Sequence, residues 1–145
     1  MLACIKYGAD KDGKITKTKL AKLMYLSDFA YFAENGVSIT NATYLKLSQG
    51  PVPIEYFACV KMLNETQKIQ IEKKGKSEMV SGIPTDEVLK FDADEKELIQ
   101  KVCKKWQGKD TKTIVEFTHK QLPWSISFEG QEVPYSLIIQ EDHVY

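Results

Sequence analysis

The longest helical pattern in the sequence is Lys17–Asn35, which reads KTKLAKLMYLSDFAYFAEN. Its apolar residues recur at the spacing of helical turns, at Leu20, Leu23, Met24, Tyr31 and Phe32. Leu26, Phe29 and Ala30 widen this apolar stripe. Gly36 follows where a helix C-cap commonly stands. The pattern predicts one long and largely buried helix, around which the remaining elements pack.

The segments that follow predict a short strand, a break and a second helix. Apolar and polar residues alternate over 41–48, which is typical of a strand. The run Gly50-Pro51-Val52-Pro53 is predicted to break that strand, because proline has no amide hydrogen to donate. Pro53 fits the first turn of a helix over 53–65. Over 68–83, two alternating runs flank Lys74-Gly75-Lys76, which predicts a β-hairpin.

Two further helices are predicted towards the C-terminus. Asp94 and Glu97 have the spacing of a capping box and open the first of them, which ends at Gly108. Asp110 or Thr111 caps the second, which runs to Leu122 and is stopped by Pro123-Trp124. A short apolar element is expected at 134–139. The fold class is therefore mainly α with a minor β part, a single compact helical domain with a small hairpin or short sheet.

Length and charge set limits on function. The 145 residues suit one domain, 1–145, and the 20 basic residues balance the 20 acidic ones. A neutral chain lacks the long-range field that attracts nucleic acid, so the composition argues against that partner. The basic cluster Lys17, Lys19 and Lys22 is predicted to form a solvated face. No apolar run is long enough for a membrane span, and three widely spaced cysteines favour a reducing cytoplasm.

Motifs for metals and cofactors are incomplete. The segment Gly8-Ala9-Asp10-Lys11-Asp12-Gly13 resembles part of a calcium loop, but Gly8 and Lys19 stand where two ligands are required. The candidate zinc ligands have no close pairs at the usual spacing: Cys4, Cys59, Cys103, His119 and His143. We therefore expect no cofactor and no metal.

A few polar residues interrupt apolar segments. Asp28 lies inside the first helix, where a buried carboxylate needs a partner, and His119 lies between apolar residues of the last helix. Both are predicted to be hydrogen-bonded structural residues. The alternative is a metal-dependent hydrolase or nuclease that uses both side chains, and this requires the fold to bring them together.

Several of these residues recur in a recognisable order. They form Lys22-Leu23-Met24-Tyr25-Leu26-Ser27-Asp28, then Ile39-Thr40 with Tyr44, then Gly50-Pro51-Val52-Pro53, then Thr118-His119 with Trp124. The pattern resembles that of the Panacea, or SocA-like, antitoxin domain, which also occurs in phage and prophage genes. The resemblance covers about 15–140, and the motifs are fairly specific when taken together.

The resemblance implies a helical antitoxin that neutralises a cognate toxin by direct protein–protein binding, and not an enzyme. We expect the loop 50–56 to be an exposed and rigid contact, because its prolines limit the entropy lost on binding. A DNA-binding regulator remains an alternative function, and a homo-oligomer remains open. The candidate contact residues are Asp28, Tyr44, Gly50, Pro51, Pro53, Tyr56, Thr118, His119 and Trp124.

Overall fold

The fold is mainly α-helical with a minor β part, as the sequence predicts. The computed structural model describes residues 1–84 and 90–145. The helices are α1 (Leu2–Gly8), α2 (Lys17–Asn35), α3 (Tyr56–Glu65), α4 (Ala93–Trp106), α5 (Thr111–Lys120), α6 (Leu122–Ser125) and a 3-10 helix (Tyr135–Gln140). The strands are β1 (Lys14–Thr16), β2 (Tyr44–Leu47), β3 (Gly50–Pro53), β4 (Ile69–Lys74) and β5 (Ser77–Gly82).

Helix α2 is the centre of the molecule and has the predicted bounds. The Thr16 hydroxyl caps it by accepting a hydrogen bond from the Lys19 amide at 3.1 Å. Gly36 closes it in the left-handed conformation, with φ of 73°. The side chains of Leu23 and Leu26 are fully buried. Helices α1, α4 and α5, the strand β3 and the 3-10 helix all pack on α2, which explains why almost every face of it is covered.

The predicted hairpin over 68–83 is present as β4 and β5, with Gly75 at its turn. Strand β1 adds to β5 and makes a three-stranded antiparallel sheet in the order β1-β5-β4. Neither β1 nor helix α1 was predicted. Strand β1 has only three residues, and Ile15 pairs with Val80 from the distant hairpin, so local sequence carries no sign of it.

The prediction that Gly50–Pro53 breaks the strand is wrong, because this segment is itself strand β3. It pairs antiparallel with β2, so that Lys46 faces Pro51 and Tyr44 faces Pro53. The Ile54 amide donates to the Thr43 carbonyl at 2.9 Å, which places the amide positions of the two prolines on the outer edge. Proline is tolerated there because, among the described residues, no further strand pairs with that edge of β3. Helix α3 accordingly begins at Tyr56 and not at Pro53.

Two helix boundaries near the C-terminus differ from prediction. The capping box of α4 is made by Asp92 and Glu95, two residues before the predicted pair, because the same spacing occurs twice in the sequence. Helix α5, capped by Asp110 as expected, ends at Lys120, and Pro123 lies in the first turn of the separate helix α6. Within the described residues, no helix combines the length and apolarity that crossing a membrane requires.

Candidate functional site

Asp28 is the centre of a buried hydrogen-bond network. Its carboxylate accepts hydrogen bonds from the Thr40 amide at 3.0 Å, from the Thr40 hydroxyl, and from the Tyr44 hydroxyl at 2.7 Å. Burial raises the pKa of Asp28, and the hydrogen bonds from Thr40 and Tyr44 oppose that rise. The expectation that Asp28 has partners is therefore confirmed. The network joins α2 to the segment that leads into β2.

Aromatic rings surround this network. Tyr44 meets Phe29 edge to face with ring centroids 5.5 Å apart, and Tyr135 stacks on Phe29 at 4.1 Å. The Tyr135 hydroxyl donates to the Ala42 carbonyl at 2.8 Å. The start of β2 is thus held on one side by Asp28 and on the other by the 3-10 helix.

Lys22 lies directly beneath the β2–β3 hairpin. Its ammonium donates to the Pro51 carbonyl at 2.8 Å, and the side chain is fully buried. A Cβ atom on Gly50, which has φ of 101°, would lie 2.6 Å from Lys22 Cε and 3.2 Å from the Thr118 hydroxyl. Only glycine fits at this approach. The hairpin therefore rests on α2 through Lys22 and on α5 through Thr118.

His119 and Trp124 form a second contact to the hairpin. Their rings stack in parallel with centroids 3.8 Å apart, and the Lys46 ammonium lies 4.1 Å from the centre of the Trp124 ring. Lys46 also donates to the Ser127 carbonyl at 2.8 Å. Burial lowers the pKa of His119, and the cations Lys22 and Lys46 lower it further. Lys22 of α2 and Lys46 of β2 thus both lie close enough to His119 of α5 to disfavour its protonated form.

The basic cluster of α2 differs from the predicted solvated face. Lys19 is 2% exposed and pairs with Asp10 at 3.1 Å, and Lys22 is 0% exposed. The signal was present in the sequence, because Lys22 precedes Leu26 by four residues and so belongs to the apolar stripe.

The predicted exposed loop over 50–56 is mostly buried. Gly50, Pro51, Val52 and Pro53 are covered, and Tyr56 is 2% exposed with its hydroxyl donating to the Lys17 carbonyl at 2.6 Å. Only Ile54 and Glu55 are exposed. The rigidity expected of the segment comes from its pairing with β2, and most of its residues support the surface instead of forming it.

The structure brings the predicted residues together in two groups around the hairpin. Asp28 and Tyr44 form one, and Gly50, Pro51 and Thr118 meet at Lys22, beside the His119–Trp124 stack. In the part of the chain that the structure describes, no hydrogen bond joins Asp28 to His119. Nor, over 1–84 and 90–145, do three or more histidine, cysteine, aspartate or glutamate side chains gather as a metal site. Within the described residues, the contacts of Asp28 are instead with Thr40 and Tyr44, and the ring of His119 stacks on Trp124.

An apolar cleft beside the hairpin is the feature that sequence reasoning missed. It has a volume of about 250 Å³ and lies between α2, the β2–β3 turn and α3. Its walls include Leu47, Val52, Tyr56 and Phe57, and Phe57 is 60% exposed. Ile54, between two wall residues in sequence, is 51% exposed. No local pattern predicts such a cleft, because its walls come from three elements.

The fold and this arrangement define a mainly helical domain in which a small β-hairpin is fastened to a central helix by buried polar residues. The family model described as antitoxin SocA-like, Panacea domain, matches residues 20–125. The chain therefore belongs to the SocA-like Panacea antitoxin family. No curated protein and no solved structure matches the chain.

Proposed function

We propose that this protein is an antitoxin that neutralises a cognate toxin by binding it directly through the cleft and the exposed apolar residues beside it. The family is named for antitoxins, which makes a toxin the expected kind of partner. The cleft is the observation that supports this choice of binding surface. Phe57 in its wall is 60% exposed, and Ile54, beside the wall, is 51% exposed.

Such a surface has the composition of a binding hot spot. Interfaces draw most of their affinity from a few aromatic or large aliphatic anchors that lose contact with water on binding. Phe57 would gain the most from being covered, because an exposed aromatic ring carries a large apolar area. Strand β3 is paired with β2, and Lys22 and Thr118 contact it from below, so little order would have to be gained on binding.

Copurification with the products of adjacent genes tests the proposed surface. We expect wild-type protein to retain a toxin from one of these genes. Phe57→Ala should weaken that complex by roughly 2 kcal/mol, or about thirtyfold in Kd. Met62→Ala is the matched control, because Met62 is a 51% exposed apolar residue of the same helix that does not line the cleft. If Phe57→Ala and Met62→Ala weakened the complex equally, the cleft would not be the toxin-binding surface.

We also propose that the protein acts in the cytoplasm. The three cysteines Cys4, Cys59 and Cys103 are free thiols, which suits a reducing compartment. Fractionation of cells that express a tagged chain tests this, and recovery in an oxidising compartment would contradict it.

A further inference from the structure

A tight turn after helix α6 carries the most exposed large apolar side chain among the described residues. The Phe128 carbonyl accepts a hydrogen bond from the Gln131 amide at 2.9 Å, and Gly130 has a φ of 76°, which a type II turn requires at its third position. The Phe128 side chain is 80% exposed, and Ile126, two residues earlier, is 54% exposed. A binding partner would gain affinity by covering this ring, because an aromatic side chain carries a large apolar area.

The turn is fastened to strand β2. The Gly130 amide donates to the Lys46 carbonyl at 2.8 Å, and the Lys46 amide donates to the Gln131 carbonyl at 2.9 Å. Further along, the Val133 amide donates to the Tyr44 carbonyl at 2.8 Å. The turn therefore holds the ring in a fixed position, and little order would have to be gained on binding.

The charge around the turn is negative and unbalanced. Glu129 and Glu132 are exposed, and among the described residues neither carboxylate has an ion-pair partner. Residues 121–145 contain no lysine or arginine, although the chain as a whole has 20 of them. The neighbouring ammonium of Lys46 donates to the Ser127 carbonyl at 2.8 Å and pairs with neither carboxylate. The exposed part of the turn is thus an apolar ring with an acidic rim.

We propose that this turn, over 126–132, docks a basic segment of a partner protein, in which lysine or arginine side chains pair with Glu129 and Glu132 and apolar side chains pack on Phe128. Opposite charges at the rim of an interface favour one partner over others, and a covered aromatic ring supplies affinity. This surface goes beyond the proposed function, because none of its residues lines the cleft and its partner need not be the toxin.

The sign of the charge favours a protein over a nucleic acid or a membrane. Nucleic acids carry a phosphate on each nucleotide, and the cytoplasmic surfaces of membranes are rich in anionic headgroups. Glu129 and Glu132 would repel both. A basic and partly apolar protein segment is complementary to the acidic rim and to the exposed ring together.

Short blocked peptides test the proposal directly. The probes are acetyl-Lys-Leu-Leu-Lys-amide, acetyl-Gln-Leu-Leu-Gln-amide and acetyl-Lys-Ser-Ser-Lys-amide, which remove the charge and the apolar side chains one at a time. Binding is followed by NMR at the amides of Phe128, Glu129 and Gln131 at low ionic strength. We expect the first probe to bind roughly fivefold more tightly than the glutamine probe, the effect of two exposed ion pairs. The serine probe should also bind less tightly than the first, because it has no apolar side chain to cover Phe128.

Paired charge variants test whether the preference arises at the turn. Glu129→Gln combined with Glu132→Gln should abolish the preference of the protein for the lysine–leucine probe over the glutamine probe. Glu34→Gln combined with Glu55→Gln is the control, because it removes the same charge from exposed positions outside the turn. The control should keep the fivefold preference.

A second pair of variants tests the apolar contact. Phe128→Ser should weaken binding of both leucine probes. Met62→Ser replaces a 51% exposed apolar residue of α3 and should leave their binding unchanged. Equal binding by wild type and Phe128→Ser would contradict the role of the ring.

Two results on wild-type protein do not depend on the folding of any variant. Salt at about 0.5 M should reduce the preference for the lysine–leucine probe, because ion pairs on the surface are screened. Equal binding of the two leucine probes at low salt, or a preference that survives without Glu129 and Glu132, would overturn the proposal. Equal binding together with retention on phosphatidylcholine vesicles would assign the turn to a membrane instead. Because the toxin is not used, such a failure would leave the copurification result intact, and the reverse also holds.

Discussion

The hydroxyl of Tyr44 donates a 2.7 Å hydrogen bond to the buried carboxylate of Asp28, and so joins the first residue of β2 to the middle of α2. Both residues belong to the sequence pattern by which the chain resembles the family, and they lie 16 residues apart. The contact positions the hairpin, and the hairpin in turn forms one wall of the cleft. Its hydrogen bonds thus give Asp28 a structural part in fastening the hairpin to α2.

Removing this hydroxyl should destabilise the protein. Tyr44→Phe is expected to lower the free energy of unfolding by about 2 kcal/mol, since the bond is buried and its acceptor is a carboxylate. Asp28→Ala should cost more, because it leaves the donors of both Tyr44 and Thr40 unpaired. Urea denaturation measures both. Tyr31→Phe is the control, because among the described residues the Tyr31 hydroxyl has no hydrogen bond, and an equal loss there would refute the assignment.

The contact between Gly50 and Lys22 can be measured by a double-mutant cycle. Gly50→Ala should cost about 3 kcal/mol, of which about 1–2 kcal/mol is backbone strain and the remainder is the clash with Lys22. In a Lys22→Ala background that clash is absent, so the backbone strain and the tight 3.2 Å approach to the Thr118 hydroxyl should remain. Gly75→Ala is the matched control, because Gly75 also has a positive φ, of 62°, but a Cβ added there would meet no described atom within 4 Å. Strict additivity of the Gly50 and Lys22 substitutions would contradict the contact.

The buried amine of Lys22 should make stability depend on pH. Its pKa in the folded protein is about 7, below the 10.5 of an exposed lysine, so the unfolded chain binds more protons between these values. Stability from this residue therefore rises as pH increases above 7. Relative to Lys22→Met, wild type should gain about 1 kcal/mol per pH unit between pH 7 and 9 in denaturant titrations. If the free energies of unfolding of wild type and Lys22→Met changed with pH in parallel, Lys22 would not be desolvated in the folded protein.

The position of Lys46 beside the His119–Trp124 stack predicts that replacing Lys46 changes the pKa of His119. Lys46 is one of two cations that lower the pKa of His119, so Lys46→Met should raise that pKa while its side chain still covers the Trp124 ring. The ring signals of His119 in an NMR pH titration measure this. Lys11→Met, at an exposed lysine, is the control. If the pKa of His119 were unchanged in Lys46→Met, the charge of Lys46 would not act on His119.

Sequence reasoning recovered what depends on local pattern and missed what depends on distant partners. Helix α2 and the β4–β5 hairpin follow from periodicity and turn residues, and the buried partner of Asp28 follows from the cost of a lone carboxylate. Strand β3 was missed because two prolines suggest a break, although an edge strand accommodates them. The burial of Lys22 could have been predicted, because Lys22 lies on the apolar stripe of α2, four residues before Leu26. The cleft depends on how α2, the hairpin and α3 meet, and no single segment contains that information.

Growth rescue tests most directly whether the protein neutralises a toxin through the cleft. Cells that express the toxin from an adjacent gene are cotransformed with wild type, Phe57→Ala or Met62→Ala, and antitoxin levels are matched by immunoblot. Wild type and Met62→Ala are expected to restore growth, and Phe57→Ala is expected to restore much less. If wild type rescued growth against none of the adjacent-gene products, the antitoxin function would be contradicted. Full rescue by Phe57→Ala would contradict the cleft as the binding surface.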